Sequence, residues 1–352
     1  MTTGSKAARF ALVALVRTTL VLVTVFVAAP ARAQAPRPWL VPGLLAAAKA
    51  EGATLTIYAS MNEEEALPYW AVFEQATGIK VNFVRMADAA IRARVAIEAR
   101  ARQRSWDLVA TTPVYRLGPE LLAQFDPPQA KELIPQARDP DRRWYGYSGN
   151  YNAPAYNTTK IKPEELPKSY EEFLDRKQWA GKVAIDGADD EWLTAMLAHY
   201  GEERGGKLVR DIAATLRPAV IDGRLNLGRQ VAAGEFWVAL NNYVPLTINQ
   251  KLAGAPTDFW ALDPVALAFG SIGISTQAPH PQTALLAANY MLSQEGQTFL
   301  TRKGRLPSRP DVATNPPDVM NVLNQHKIIA SVTSAAEQRR MQQMFKEIFR
   351  PQ

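Results

Sequence analysis

The chain has 352 residues, 40 Lys and Arg against 34 Asp and Glu for a formal net charge of +6, and no cysteine. The missing cysteine excludes disulfides, thiolate metal sites and cysteine nucleophiles together. Of the +6, four charges (Lys6, Arg9, Arg17, Arg32) sit in residues 1–33, which hold no acid, so the remainder carries +2 and offers no argument for nucleic acid.

Residues 1–33 have the charged, apolar and A-x-A parts of a secretory signal peptide in order. The apolar run is Leu20 to Ala29 and the cleavage signal is Ala31-Arg32-Ala33, so cleavage is expected near Ala33. That run is about ten residues, half of what a membrane span needs. The about 319 residues that follow exceed what one core usually supports and predict two lobes.

After a Pro-containing leader, Thr54 to Ala59 has the β-branched pattern of a strand, and Ser60-Met61-Asn62-Glu63 reads as a capping box opening a helix that Gly78 ends. Ile79 to Val84 is predicted as a strand, Asp88 to Arg104 as a helix and Asp107 to Thr111 as a third strand, the order of a parallel sheet with right-handed crossovers. From Asp126 to Arg143 the chain is rich in Pro and charge. Trp144 to Tyr156 is then dense in Tyr, Gly and Asn, the composition of an extended crossing between lobes.

A second set of units follows: strands at Lys182 to Asp186, Pro218 to Asp222 and Phe236 to Leu240, and helices at Glu191 to Tyr200 and Leu227 to Ala233. Pro264 to Ser275 reads as a second crossing, followed by helices at Pro281 to Ser293, Gln294 to Lys303 and Val332 to Phe349. The expected organisation is a signal peptide at 1–33, a discontinuous first lobe at 36–150 and 265–352, and a second lobe at 151–264.

In open parallel sheets a ligand binds beyond the carboxyl ends of the strands. Those ends here carry Ser60, Met61 and Asn62, then Arg85, Thr111 and Thr112, Gly187, Ala188 and Asp189, Arg224, and Asn241, Asn242 and Tyr243. Short hydroxyls and amides at helix starts donate to an anion or a sugar-like ligand alongside free backbone N–H groups. Each has a plainer role too: Ser60 and Asp190 as helix caps, Glu63, Glu64 and Glu65 as solvated acids, Arg92 and Arg94 as a helix's solvent face, Asn241-Asn242 as a turn. None of the three histidines, His199, His280 and His326, falls at a strand tip, Ser271 lacks the spacing of a nucleophile elbow, and no HExxH, GxxxxGK or post-strand GxGxxG occurs. The tips form a binding cleft rather than a reaction centre.

Four stretches, 54–85, 153–185, 232–243 and 269–312, resemble the periplasmic solute-binding proteins of ABC importers, within the group that includes ferric-ion-binding proteins. The resemblance implies an α/β fold of two lobes, each a mostly parallel sheet flanked by helices, joined by two crossing hinge segments, with a solute clamped between them and delivered to a membrane permease. It also implies no enzymatic activity and no cofactor. Against the ferric-binding pattern, Tyr243 is followed by Val244 where a second tyrosine is typical, Asn62 stands where a histidine is common, and the acidic ligand would fall at Asp88 or Ala89. Phenolate and carboxylate oxygens suit a hard trivalent cation, so the set is incomplete, with Tyr243 the one metal candidate. Arg85 and Arg224 instead favour a small polar, anionic solute, because guanidinium pairs well with carboxylate or phosphate.

The expectation is therefore a monomeric periplasmic receptor for a small anionic molecule. A receptor for ferric iron or an iron complex stands as the alternative within the family, and a secreted α/β hydrolase as the alternative outside it.

Overall fold

A computed structural model describes residues 36–350 apart from Pro113, Ala188 and Ser334, and only the backbone of Ala89 and Ala335. The expected signal peptide and the candidate site residue Ala188 thus lie outside the described residues. Alternating apolar and β-branched runs form strands β1 (Thr54–Ala59), β2 (Lys80–Arg85), β3 (Leu108–Thr111), β4 (Tyr145–Asn157), β5 (Val183–Asp186), β6 (Ala219–Ile221), β7 (Val238–Tyr243), β8 (Thr257–Phe259), β9 (Val265–Ile274), β10 (Leu306–Pro307) and β11 (Ile328–Ala330).

These make one hydrogen-bonded sheet whose main path runs β2-β1-β3-β9-β4-β7-β5-β6. At one end β1 lies parallel to β2 and to β3; at the other β5 lies parallel to β6 and β7. Between them the two long crossings, β4 and β9, pair antiparallel from Tyr145↔Ile272 to Asn152↔Ala266, and every residue of both is buried. Glycine makes that burial feasible: a Cβ on Gly146 would stand 2.7 Å from the Phe269 ring across the pair.

Each parallel end has its own core. In the first, Trp39 is fully buried against Tyr290 (ring centroids 4.8 Å apart) and Phe73 (5.9 Å). The second gathers Tyr170, Phe173, Trp192 and Leu240, and with them Met341, Phe345 and Phe349 of the last helix, Ala335–Phe349. The expectation that 265–352 belongs to the first lobe thus differs from the packing at its C-terminal end. This helix has an apolar stripe at positions 341, 345 and 349, which is covered by Trp192 and its neighbours.

Local expectations fail for identifiable reasons. Asn62, not Ser60, precedes the helix Glu63–Thr77, and it makes no side-chain cap. The helix Asp88–Arg100 stops short of Arg104, Arg102 having turned to φ +55°. The helix Glu202–Leu216 was not anticipated, because its Gly205-Gly206 pair weakens the helical signal. That pair serves packing: a Cβ on Gly205 would lie 3.0 Å from the Met196 carbonyl of the preceding helix, Asp190–Tyr200.

Asn241 to Tyr243 are not a tip beyond the strand but its last residues, Asn242 and Tyr243 pairing with Ala153 and Asn152 of β4. The helix Val244–Leu252 follows at once, with Pro245 in its first turn, where a missing N–H costs nothing.

Phe345, 2% exposed, tests the role of the last helix. Phe345→Ala should lower the unfolding free energy by about 3–5 kcal/mol in urea titration, the usual cost of emptying a packed aromatic site. A loss under about 1 kcal/mol would mean that the helix is peripheral to the second core.

Candidate functional site

A cleft of about 1110 Å³ opens between the two parallel ends of the sheet. Six of the residues read from strand ends line it: Ser60, Asn62, Arg85, Thr112, Arg224 and Tyr243. Others lie beneath its surface. Met61 and Thr111 are buried, and Thr111 donates its hydroxyl to Asp88. Gly187 is not on the lining; a Cβ there would meet Arg350 and Asp222.

Asp189, Asn241 and Asn242 were expected as ligand contacts and are instead framework. Asp189 is fully buried at the N-cap of the helix Asp190–Tyr200, and its Oδ1 accepts from the Trp192 N–H at 3.0 Å and from Arg224 Nη2 at 2.7 Å. Its Oδ2 accepts from Asn152 Nδ2 at 2.8 Å and from Asn241 Nδ2. Asn241 spends its own Oδ1 on the Asp186 N–H at 3.0 Å. Asn242 bonds Thr247 through Nδ2 at 3.3 Å and accepts the Tyr243 N–H at 2.9 Å. With these groups committed, none of the three faces the cleft.

What faces it is built on that layer. The Arg224 guanidinium lies 3.9 Å from the centroid of the Tyr243 ring, with Glu191 Oε2 3.7 Å from its Nη2. The Tyr243 hydroxyl donates to the same Glu191 oxygen at 2.7 Å. Burial, and then the Glu191 carboxylate, push the Tyr243 phenol well above its ordinary range, so it stands as a protonated donor rather than a phenolate. Burial also raises Glu191, against the pull of Arg224, and raises Asp190, against the pull of Arg116.

Arg116, from the turn after β3, reaches across to Asp190 with Nη2 to Oδ2 at 2.6 Å, the two side chains being 10% and 4% exposed. On the first wall Arg305 holds Glu65 by two parallel bonds of 2.5 and 2.8 Å, so Glu65 is a buried partner and not a solvated acid. At the mouth Asn249 packs on Gly304, where a Cβ would be 2.1 Å from its Oδ1.

Arg92 also lines the cleft, half-buried, where a solvent-facing residue was expected. It forms no ion pair or hydrogen bond among the described residues. Burial, and then the nearby Arg116 guanidinium, lower its proton affinity below the usual arginine value. Arg116, Glu191 and Arg92 had no signal in the sequence. Their helical and turn positions allow either face, and the tertiary packing chose the cleft.

Two parallel-stranded halves flanked by helices, joined by two long crossing strands around a cleft, define the class: a two-lobed periplasmic binding protein fold. Two solved structures share it at low sequence identity. Iron-bound HitA from Pseudomonas aeruginosa aligns with TM-score 0.69 and 21% identity over 84% of this chain and 99% of its own. AfuA from Actinobacillus pleuropneumoniae with fructose-6-phosphate bound aligns with TM-score 0.70 and 18% identity over 84% and 98%. Iron uptake protein A1 of Synechocystis sp. is 30% identical over 281 residues, 70% of this chain and 73% of that protein. The profile of the bacterial extracellular solute-binding protein family matches residues 118–330. The chain belongs to that family, and its role is that of the solute-binding component of an ABC importer.

The framework assignment of Asp189 has a measurable consequence. Asp189→Ala removes the buried acceptor shared by Arg224, Asn152 and Asn241 and should cost about 3–5 kcal/mol of unfolding free energy without any solute present. Asn62→Ala, on the open lining, should change stability by less than about 0.5 kcal/mol in the same titration.

Proposed function

We propose that this protein captures a small organic anion in the cleft and hands it to a permease without altering it chemically. The observation that carries the reading is Arg92: a half-buried guanidinium on the cleft wall that forms no ion pair or hydrogen bond among the described residues, with Asp88 and Asp190 acting on it only from a distance. A buried cation is costly unless it is paired, so a site that keeps one in reserve is completed by an anionic solute. Arg85, also on the lining, likewise makes no ion pair among the described residues. In addition, the Arg224 Nη1 is buried with no acceptor.

In this reading the chain is exported, trimmed near Ala33 and works as a periplasmic monomer. Its first lobe runs 36–150 and from 265 to about 330; its second runs 151–264 and includes the helix Ala335–Phe349. β4 and β9 are the segments about which the lobes move.

Iron is the second reading, favoured by Tyr243 on the lining and by the names of the relatives. The donor set fits it poorly. Among the described residues Tyr243 is the single tyrosine on the lining and no histidine joins it, and its hydroxyl is already given to Glu191. Among the described residues no three carboxylates or histidines converge as a metal site.

A thermal-shift screen separates the readings, since a solute at a hundred times its Kd stabilises by about 2.7 kcal/mol. Phosphate esters or small carboxylates should raise Tm in the wild type, and Arg92→Gln should lose most of the shift. Stabilisation by uncharged sugars alone, or turnover of a phosphate ester, would sink the proposal. A visible tyrosinate-to-iron band with ferric citrate, absent in Tyr243→Phe, would replace it with iron.

A further inference from the structure

Six large apolar side chains stand exposed among the described residues, and two of them, Leu225 (45%) and Leu252 (53%), line the cleft. Scattered singly such residues mean little, but these two share one wall with Pro245, Leu246 and Ala253. Leu225 lies in the first turn of the helix Arg224–Ala233, and the others lie in or just after the helix Val244–Leu252. The facing wall, from segments before residue 117 and after 301, has Ala87 as its only apolar lining residue among those described.

The helix Val244–Leu252 buries Val244, Thr247 and Ile248 on one face in the usual way. At about 100° per residue, Pro245, Leu246, Asn249 and Leu252 fall on the opposite face within an arc of about 120°. A surface helix gives that face to polar residues, yet here Asn249 is its single polar member. A second observation agrees. Leu225, Leu246 and Leu252 join none of the buried apolar clusters of either half, so their apolar surface is left to the cleft. The cleft is also large: at about 1110 Å³ it matches sites for drug-sized molecules, roughly 300–1,000 Å³, and far exceeds what an anionic group fills.

We infer that the solute is amphipathic, with an anionic group held at the wall around Arg92 and an apolar body lying on Leu225, Leu246 and Leu252 of the other. The inference rests on the solute-binding reading above and narrows it. The body of the solute is the occupant these leucines fit, because they open into the solute space beside Arg224 and across from Arg92. Leucine offers no hydrogen bond, so the shelf selects by area, and each methylene moved onto it from water adds up to about four-fold in affinity.

Two pairs of probes, equal in charge and different in apolar length, decide it by isothermal titration: hexylphosphonate against methylphosphonate, and hexanoate against acetate. In at least one pair the longer member should bind about ten-fold or more tightly, as expected for five added methylenes that are only partly buried. Leu225→Ser and Leu252→Ser, both at exposed positions that the fold tolerates, should each cut that ratio by about three-fold or more. Leu67→Ser, equally exposed but outside the lining, should leave it unchanged. Arg92→Gln should weaken both members of a pair alike. Equal affinity within both pairs overturns the apolar body and leaves the anion reading standing. If none of the four compounds binds, both fall. A ratio that survives both serine variants overturns the assignment, because the apolar body is then held elsewhere. So does an equal loss for the long and short members in those variants, since the leucines then serve contact between the walls.

Discussion

The Asp189 carboxylate is the contact on which the cleft depends. It lies in the interior and accepts from four donors drawn from β4, β7 and the starts of two helices: Asn152, Asn241, the Trp192 N–H and Arg224. A buried charge is tolerable only when so fully satisfied, and satisfying it fixes the relative positions of every element that supplies a donor. Arg224 is thereby held over the Tyr243 ring, and Tyr243 is held against Glu191. The groups that face the solute space are thus a second layer, oriented by a first layer that never touches it.

That arrangement also acts on the Tyr243 phenol. A phenol that donates to a buried carboxylate and carries a guanidinium on its face is stabilised in its neutral form, the opposite of what a hard cation asks of it. The amide residues that seemed to present themselves at the end of β7 are equally committed, Asn241 to the Asp186 backbone and Asp189, Asn242 to Thr247. The charge that lines the solute space is on long side chains, Arg92 and Arg85 on one side and Asp190 and Glu191 on the other, with a few hydroxyls and amides between.

Much of the scaffold was legible. Strands written in alternating β-branched residues, the two Gly- and Tyr-rich crossings, and Gly78 at a helix end each follow from local chemistry, and the structure places them within a few residues. The site was legible only as a place. Strand ends located the cleft because sheet topology decides where loops converge. Which residue at each end turns toward it depends on pairing partners far along the chain, such as Asn152 with Asp189, and these leave no mark in a short stretch of sequence. Arg92 shows the limit: one of several arginines on a helix, it differs from its neighbours only in what packs opposite.

The pair of Arg116 and Asp190 carries a kinetic meaning beyond its strength. Its members come from either side of the crossing strands and are almost wholly covered. Any movement that parts them must hydrate both charges, and at partial separation neither the partner nor water is fully available. The costly geometries are therefore the intermediate ones. The cleft should rest in either of two positions with a threshold between them, more like a snap fastener than a soft spring, and the wetting of one ion pair would set how long it lingers in each.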